Sequence, residues 1–375
     1  MNIITTNLET KLGNKIQYHQ KYLENSKQDL LNFIDDIDYI KNLKFATNAI
    51  MPEEIKANNN IEGINDDLSS IDNVVTKKEI KPRIANLYNG YKYILTHKQI
   101  NKQSLKKLYA IISKDLLNEH DRSNMGEYYR QKPVYILKGS RLDTEPYLGM
   151  DADKIDYHMN NLFTYINDNN TKTEIEDFIK SQIIHFYFVY IHPYFDVNGR
   201  TSRTLSMWYL LNKKAYPYII LNRAITFAKK EYENKIITSR QGDITPFLKY
   251  MIIQVQKELE KEYVIHNINK NLSYKLAKED SQMIEYFISL NGNLTIKDLS
   301  TIYNNYNTPK KITELIDEII DPLIKQNIFI NCGNTKKFIT NDRPNSHIAL
   351  NPELIDINKN KLKYLKLDKY TYHKE

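Results

Sequence analysis

The feature that most constrains this chain is an apolar stretch broken by a histidine–proline pair. Residues 172–190 have the composition of a buried helix, and Pro193 disfavours helical backbone at His192, so the helix should end just before this pair. A second helix is expected to begin near Asn198. Its apolar residues recur at helical spacing, namely Leu205, Trp208, Tyr209, Leu210 and Leu211. The polar residues between the two helices therefore lie in a short loop inside the helical core.

Composition excludes several classes of protein. The chain has 10 glycines in 375 residues, well under the usual share of about 7%. It contains neither a P-loop nor a Gly-x-Gly-x-x-Gly pattern, which excludes the P-loop and Rossmann classes. The net charge of +7 does not by itself indicate nucleic acid or a membrane. The single cysteine, Cys332, excludes an internal disulfide, and without an apolar leader at the N-terminus we expect a cytoplasmic protein.

Most of the chain is predicted to be helical. Helices are expected at about 16–48, 80–97, 101–117, 151–168, 172–190 and 198–268, the last broken at Gly242. A short helix should begin at Pro52 and end near Gly63, because proline and acids favour a helix start and glycine a C-terminal cap. Extended-type residues around Lys138-Gly139-Ser140 predict a β-hairpin between Gly126 and Gly149.

The C-terminal part has a different pattern. Helices are expected at Met283–Leu290, from Thr295, and at Pro309–Gln326, followed by strands at residues 328–330 and 337–339. Three helices followed by a hairpin is the order of a winged helix, the basis of a DNA-binding hypothesis. The acidic stretch Thr313–Glu318 argues against contact with phosphates.

The loop after the first helix combines groups suited to phosphate chemistry. A helix N-terminus binds anions, and Gly199 allows a close approach. Arg200 and Arg203 are three residues apart on one helix face, so both can reach one polyphosphate. Asp196 is a hard oxygen ligand suited to Mg²⁺, and His192 titrates near neutrality and is a candidate general base. Taken singly, each of these residues is more simply explained as part of an ordinary loop with a surface ion pair.

Taken together, these residues resemble the signature of the Fic family, His-Pro-Phe-x-Asp/Glu-Gly-Asn-Gly-Arg-x-x-Arg. The matching positions are His192, Pro193, Asp196, Asn198, Gly199, Arg200 and Arg203. Two positions depart from the pattern: Tyr194 replaces phenylalanine, and Val197 replaces glycine. The tyrosine hydroxyl needs a partner, and valine is disfavoured if its position requires a positive φ. We expect the anion site to persist with local adjustment.

The resemblance covers about residues 50–260 and implies a mostly α protein with a Fic-type helical core and a β-hairpin flap, plus a C-terminal winged helix (α+β). It implies transfer of AMP from ATP to a Ser, Thr or Tyr hydroxyl of a protein, including the chain itself, with His192 as general base and Asp196 holding Mg²⁺. The ATP-binding positions it implies are Asn198, Gly199, Arg200, Thr201, Ser202, Arg203 and the adenine-side Tyr232. Gly126–Arg130 and the following residues resemble the flap, which binds a target segment through Val134, Tyr135, Ile136 and Leu137.

A second match lies upstream. Asn58-Asn59-Asn60-Ile61-Glu62-Gly63 resembles the inhibitory motif Ser/Thr-x-x-x-Glu-Gly/Asn, with Asn58 in the Ser/Thr position. In the family this glutamate pairs with the second signature arginine, here Arg203, and takes the place of the γ-phosphate. We therefore expect Glu62 to inhibit the chain by pairing with Arg203; the alternative is a helix end capped by Gly63 with Glu62 in solvent.

These matches predict the domain organisation. The expected parts are an N-terminal helical region at 1–80 with the inhibitory helix at about 53–63, a Fic core at 81–268 with the flap at about 131–148 and the signature at 192–203, a winged-helix-like domain at 275–345, and a tail at 346–375. The expected partners are ATP, Mg²⁺, a protein target and a second copy of the chain, with no membrane. The alternatives are removal of AMP from a target, transfer of another phosphate-containing group, and a nucleotide-sensing regulator that binds DNA.

Overall fold

The computed structural model describes residues 2–41, 51–65, 67–75, 81–136, 147–272, 276–289, 294–333, 347–355 and 357–366. Within these residues the chain is mostly helical with small antiparallel sheets, which confirms the predicted fold class. The predicted flap residue Leu137, the turn at 138–140 and the strand at 337–339 lie outside the described residues. No helix among the described residues is long and apolar enough to cross a membrane.

The described strands form two-stranded antiparallel sheets. They are β1 (Ile3–Glu9) with β2 (Lys15–His19), β3 (Tyr135–Ile136) with β4 (Tyr147–Leu148), and β5 (Phe329–Gly333) with β6 (His347–Leu350). In the middle sheet Tyr135 lies opposite Leu148 and Ile136 opposite Tyr147, which is the hairpin expected between Gly126 and Gly149.

The helices, in chain order, are α1 (Gln20–Asp36), α2 (Asp38–Lys41), α3 (Met51–Ile61), α4 (Leu68–Val75), α5 (Pro82–Thr96), α6 (Lys102–Ile112), α7 (Glu119–Ser123), α8 (Ile155–Asn167), α9 (Glu174–Ile191), α10 (Asn198–Lys213), α11 (Leu221–Thr226), α12 (Lys229–Thr238), α13 (Thr245–Asn271), α14 (Lys278–Ser289), α15 (Ile296–Tyr306), α16 (Ile312–Leu315) and α17 (Asp321–Lys325). A π-helical turn at Ile316–Ile320 joins α16 to α17.

The chain divides into two compact units. The first contains Met1–Leu31, Leu43–Glu62 and Ile71–Val255, and the second contains Asn32–Asn42, Gly63–Ser70 and Gln256–Glu375.

The core of the first unit is the pair α9 and α10. Helix α9 is buried along nearly its whole length, as expected for a helix that is apolar on all sides. Small residues bring the two helices together, since the Ser206 hydroxyl donates to the carbonyl of Ser181 at 3.0 Å. The side chain of Thr173 caps α9, and acids occupy its first turn, which stabilises the N-terminus. The loop between α9 and α10 is therefore anchored on both sides by buried helices.

The second unit contains α14 to α17 and the sheet of β5 and β6 around a core that includes Phe287, Leu299 and Leu323. Glu260, fully buried on α13, accepts hydrogen bonds from the backbone N–H groups of Lys363, Tyr364 and Leu365 at 2.8 to 3.0 Å. This carboxylate fixes the last described segment of the chain to the unit.

Two expectations about secondary structure were wrong. The N-terminal region is not wholly helical, because residues 3–19 form a hairpin and the first helix begins at Gln20 rather than near residue 16. Leu8 and Ile16 on the two strands are fully buried, so tertiary packing favours the hairpin. In the second unit, β5 pairs with β6 at His347–Leu350, beyond the predicted domain end at 345, where Ile348 and Leu350 are buried.

Candidate active site

The loop between α9 and α10 begins and ends with left-handed backbone. His192 has φ +54° and ψ +61°, and Val197 has φ +66° and ψ +10°. A left-handed conformation costs a non-glycine residue about 1–2 kcal/mol, and it is rare for a β-branched residue. Val197 therefore does occupy a position that requires positive φ, and the surrounding buried helices hold it there. The two reversals turn the chain sharply enough to bring His192 beside the start of α10.

The first turn of α10 offers backbone N–H donors to an anion. Its first helical hydrogen bond runs from the Thr201 N–H to the Val197 carbonyl at 2.9 Å, so the N–H groups of Asn198, Gly199 and Arg200 precede it. Val197 has no polar side chain with which to cap these groups. Donors of this kind at a helix N-terminus favour an anion.

Two of the predicted ATP-binding side chains, those of Asn198 and Ser202, are engaged within the loop and helix. The Asn198 amide donates to the carbonyl of Tyr194 at 2.8 Å and accepts from its N–H at 3.1 Å, so it shapes the loop and leaves only its own N–H for a phosphate. The Ser202 hydroxyl donates to the Gly199 carbonyl at 2.8 Å. The hydroxyl of Thr201 is buried and has no hydrogen-bond partner in the part of the chain that the structure describes.

Tyr194 is buried within the same loop. Its ring stacks on that of Tyr109 with centroids 3.5 Å apart and planes at 9°. The partner expected for its hydroxyl is missing among the described residues. Stacking therefore compensates only part of the difference from the family's phenylalanine.

Arg203 is bound by α3 and the residue that follows it. Its Nη2 lies 2.6 Å from Glu62 Oε1, and its Nε donates to Asn58 Oδ1 at 2.8 Å. Arg203 is 2% exposed and Glu62 is 34% exposed. Burial acts to raise the pKa of Glu62, but the charge and hydrogen bonding of Arg203 outweigh it and leave this pKa below its usual value. The pair is a charge-assisted hydrogen bond at the mouth of the helix N-terminus.

Gly199 lies directly against this ion pair. A Cβ at this position would be 2.5 Å from Glu62 Oε1 and 3.1 Å from Arg203 Nη1. Only glycine therefore lets a carboxylate, or another anion, approach the backbone so closely.

Arg200 is a buried cation with unused donors. It is 5% exposed, and its Nε and Nη1 atoms have no hydrogen-bond partner among the described residues. Burial lowers the pKa of Arg200, while the nearby Glu62 and Asp196 carboxylates oppose that effect. Since a buried charge without hydrogen bonds is costly, this side chain fits an anionic ligand such as a phosphate.

His192 is half-buried and held in its neutral form. Burial, and next the positive charge of Arg130, lower its pKa to about 3, against the opposing effect of the Val189 carbonyl. At pH 7 the imidazole is therefore unprotonated.

Asp196 is exposed on the loop, and its carboxylate accepts the Val197 N–H at 2.6 Å. Within the described ranges no group of three or more His, Cys, Asp or Glu residues is placed to hold a metal ion. A single carboxylate beside a phosphate site fits Mg²⁺, which takes most of its oxygens from water and substrate phosphates.

Tyr232 lies deep beside Arg203. Its hydroxyl is 2.8 Å from His185 Nε2, and the two rings stack with centroids 5.7 Å apart. Burial raises the pKa of Tyr232 to about 12, in spite of the Arg203 charge. The structure thus places Tyr232 in the layer of residues that supports Arg203.

The flap hairpin lies beside the loop that carries His192. Val134 is half-buried, Tyr135 is 66% exposed and Ile136 completes β3. The Gly149 N–H donates to the Val134 carbonyl at 3.1 Å, which closes the base of the hairpin.

Sequence reasoning missed a buried polar chain that leads to Arg203. The Glu54 carboxylate, on α3, accepts from the N–H and the side-chain amide of Asn222 at 3.0 and 2.7 Å. The Asn222 and Asn58 amides both donate to the Tyr91 hydroxyl, at 3.1 and 3.2 Å. Asn58 in turn bonds Arg203. The one sequence signal was Glu54 in the first turn of α3, which is also an ordinary helix-start residue.

Part of the chain is similar to a known protein family. Residues 99–210 match the model of the Fic/DOC family. The chain is 28% identical over 173 residues to protein adenylyltransferase Fic of Drosophila mojavensis, which covers 44% of this chain and 32% of that protein. It is 26% identical over 196 residues to protein adenylyltransferase fic-1 of Caenorhabditis elegans, covering 50% and 36%. The matched segments thus span about a third of these relatives.

The fold has a solved counterpart. A Fic family protein from Desulfovibrio desulfuricans G20 aligns with a TM-score of 0.53 and 17% identity, covering 89% of this chain and 97% of that one. The likeness extends over both compact parts of the chain and supports the fold alone.

Proposed function

We propose that this chain, whose residues 99–210 match the model of the Fic/DOC family, is a protein adenylyltransferase that moves AMP from ATP to a Ser, Thr or Tyr hydroxyl of a target protein. We propose in addition that Glu62 inhibits it. The observation that carries both proposals is the anion site at the start of α10, which has unused donors on Arg200 and a carboxylate already bound to Arg203. The names of the relatives support the activity.

The proposed reaction uses few groups. His192, neutral at pH 7, takes the proton of the target hydroxyl as the hydroxyl oxygen bonds to the α-phosphorus of ATP. The bond from this phosphorus to the bridging β-phosphate oxygen breaks, and pyrophosphate leaves. Arg200 and the N–H groups of the helix start stabilise the charge that builds on the phosphates, where most of the rate should arise.

Asp196 is the residue we assign to Mg²⁺. When bound, the ion supplies charge neutralisation on the phosphate oxygens. Its exposed position on the loop, with no second acid required, supports the assignment.

Inhibition follows from competition for one arginine. The Glu62 carboxylate bonds Arg203 at 2.6 Å and lies where only glycine, at Gly199, permits an anion. An ATP γ-phosphate needs the same guanidinium, so it must displace the carboxylate or bind in another pose. A solvated Glu62, the simpler alternative, would make no such contact.

The test is a labelling assay with Mg²⁺ and ATP labelled at the α- or the γ-phosphate. The wild type, Glu62→Gly, Glu62→Gln and Glu62→Gly/His192→Ala are incubated alone and with a host-cell lysate, and label retained on protein is measured. We expect α-label to rise at least about tenfold on loss of the Glu62 charge, because this ion pair occupies the phosphate site. The label should disappear when His192 is replaced.

The matched control is Glu9→Gln. Glu9 is 29% exposed and forms an ion pair with Lys15, so the substitution removes an ion pair away from the site and should leave labelling unchanged. Retained γ-label would contradict AMP transfer in favour of phosphorylation. Release of AMP from a pre-labelled protein would favour the reverse reaction. Absence of α-label from every protein, with ATP bound, would overturn the proposal and leave the DNA-binding regulator as the next hypothesis.

A further inference from the structure

Arg130 is a fully buried cation at the base of the flap. It is 1% exposed, and none of its contacts is an ion pair within the part of the chain that the structure describes. Burial lowers the pKa of Arg130 to about 10, with Asp151 acting against the change. Keeping a guanidinium in such a place is costly unless its donors are satisfied, so its hydrogen bonds indicate what it is there to hold.

The guanidinium donates to three backbone carbonyls. Its Nε bonds the carbonyl of His192 at 2.9 Å, its Nη1 that of Lys132 at 2.6 Å and its Nη2 that of Met150 at 2.6 Å. Lys132 precedes β3, and Met150 follows β4. A single side chain therefore joins both ends of the flap hairpin to the left-handed residue that presents the imidazole.

Backbone hydrogen bonds also join the base of the flap to residues 191–193. The Arg130 N–H donates to the Pro193 carbonyl at 3.0 Å, and the Met150 N–H donates to that of Ile191 at 3.1 Å. Gly149 leaves space for the arginine, because a Cβ there would lie 2.7 Å from Arg130 Nη2 and 3.4 Å from His192 Cβ. The base of the flap and residues 191–193 are thus joined by a continuous set of hydrogen bonds.

We propose that Arg130 is a positioning residue that fixes the flap relative to His192, so that a hydroxyl held by the flap meets the imidazole at the reacting distance. This inference rests on the proposed function, in which the flap holds the target and His192 is the base. Arg130 and His192 are 62 residues apart in the sequence, and these hydrogen bonds set the distance between the flap and the imidazole. A misplacement of about 1 Å in such an arrangement costs roughly 100-fold in rate.

The charge of Arg130 has a separate effect that allows an independent test. After burial, it is the next largest cause of the lowered pKa of His192. The other groups that act on this imidazole are the Val189 carbonyl and Glu62, which raise its pKa, and Arg240, which lowers it. Lysine at position 130 retains a positive charge, but all its donors are on one nitrogen and cannot reproduce bonds made from three separate guanidinium nitrogens, whereas methionine retains only the bulk.

The experiment compares Arg130→Lys, Arg130→Met and Gly149→Ala in a Glu62→Gly background. The kcat of AMP transfer, the KM for ATP, thermal unfolding and the His192 titration by NMR are measured, with the His192 signal assigned from His192→Ala. We expect kcat to fall about 10- to 100-fold in all three variants, with the KM for ATP within about twofold because ATP binds at the helix start. The pKa of His192 should rise clearly only in Arg130→Met. The control is Arg122→Lys, which replaces an exposed arginine bonded to one carbonyl. It should change neither kcat nor the pKa of His192.

A kcat within about twofold of the background in folded Arg130→Lys and Gly149→Ala would overturn the positioning role. Should the Glu62→Gly protein itself transfer no AMP, the proposed function fails. The NMR measurement alone then tests whether Arg130 positions His192. In that case, a His192 signal and pKa unchanged in Arg130→Met would overturn it, and a shifted signal would support it. If Arg130→Met does not fold, the lysine and alanine variants provide the same comparison of signal position.

Discussion

At the scale of single residues, the loop depends on backbone that its side chains disfavour. His192 and Val197 both have positive φ, although neither is glycine. Strain of this kind persists only where the surroundings impose it, here the buried helices α9 and α10, and it often marks functional sites. The buried Val197 side chain, 3% exposed, offsets part of the cost by the apolar area it removes from water.

The strain at Val197 predicts a reversal of the usual order of alanine and glycine. In Val197→Ala the left-handed conformation remains strained, whereas Val197→Gly relieves it. We therefore expect Val197→Gly to have a free energy of unfolding about 1 kcal/mol above that of Val197→Ala. Urea denaturation of both variants measures this difference.

The control is Val264, which is fully buried inside α13. There Val264→Ala should be more stable than Val264→Gly by about 1 kcal/mol, the ordinary helix preference. An alanine variant at position 197 that is as stable as the glycine variant would show that the site relaxes to negative φ.

At the scale of elements, hydrogen bonds hold α3 near both of its ends. Glu54, near its start, accepts N–H groups of Asn222 and Arg223 at the beginning of α11. Glu62, just after its end, bonds Arg203. The inhibition proposed for Glu62 requires that its helix be fixed, and the buried attachment at Glu54 supplies this.

Glu54 gives the protein a pH-dependent stability. Burial raises the pKa of Glu54 from 4.5 to about 7, against the opposing effects of Arg223 and Asn222. Because the folded pKa lies above the unfolded one, the contribution of Glu54 is fully present below about pH 4.5 and is lost as the pH rises through about 7. Tyr91 also acts on this carboxyl group, and its pKa is raised further above neutrality, so it stays uncharged in this range.

The measurement is the free energy of unfolding of the wild type and of Glu54→Gln at pH 5 and pH 7.5. The wild type should lose more stability than the variant across this interval, since only the wild type must ionise a buried carboxyl group. Other titrating groups, such as Glu260, cancel in the comparison. Equal losses in the two proteins would show that Glu54 keeps an ordinary pKa.

At the scale of the whole molecule, ligand binding and folding are linked. A ligand that binds only the folded chain stabilises it, by about 2.7 kcal/mol at a concentration of 100 times its Kd. The anion site is built from α3, α9 and α10, which are far apart in the sequence and meet only in the folded first unit. A nucleotide bound there should therefore raise the unfolding temperature of that unit.

Thermal unfolding with Mg²⁺ and ATP should show this linkage. The increase in Tm should be larger in Glu62→Gly than in the wild type, because the carboxylate no longer competes for Arg203. It should be reduced in Glu62→Gly/Arg200→Gln, which removes the unused donors. Adenosine, which lacks phosphates, serves as the control ligand, and an equal effect of ATP and adenosine would contradict a phosphate site.

Much of the helical core and of the site was predictable because it is encoded locally. The end of α9 before His192, the start of α10 at Asn198 and the helix before Gly63 follow from proline, glycine and apolar periodicity. The N-terminal hairpin and the pairing of β5 with β6 were missed, since strand partners are chosen by burial between distant segments.

The sequence by itself determined which residue types surround the candidate site: a histidine, a carboxylate, a glycine and two arginines within twelve positions. Only the tertiary structure decided which of them are already engaged. It placed Glu62 on Arg203, left donors of Arg200 unused, committed the Asn198 side chain to the loop and attached Arg130 to His192. Hydrogen bonds and charge interactions act over a few ångströms, and those distances between remote segments exist only once the helices have packed.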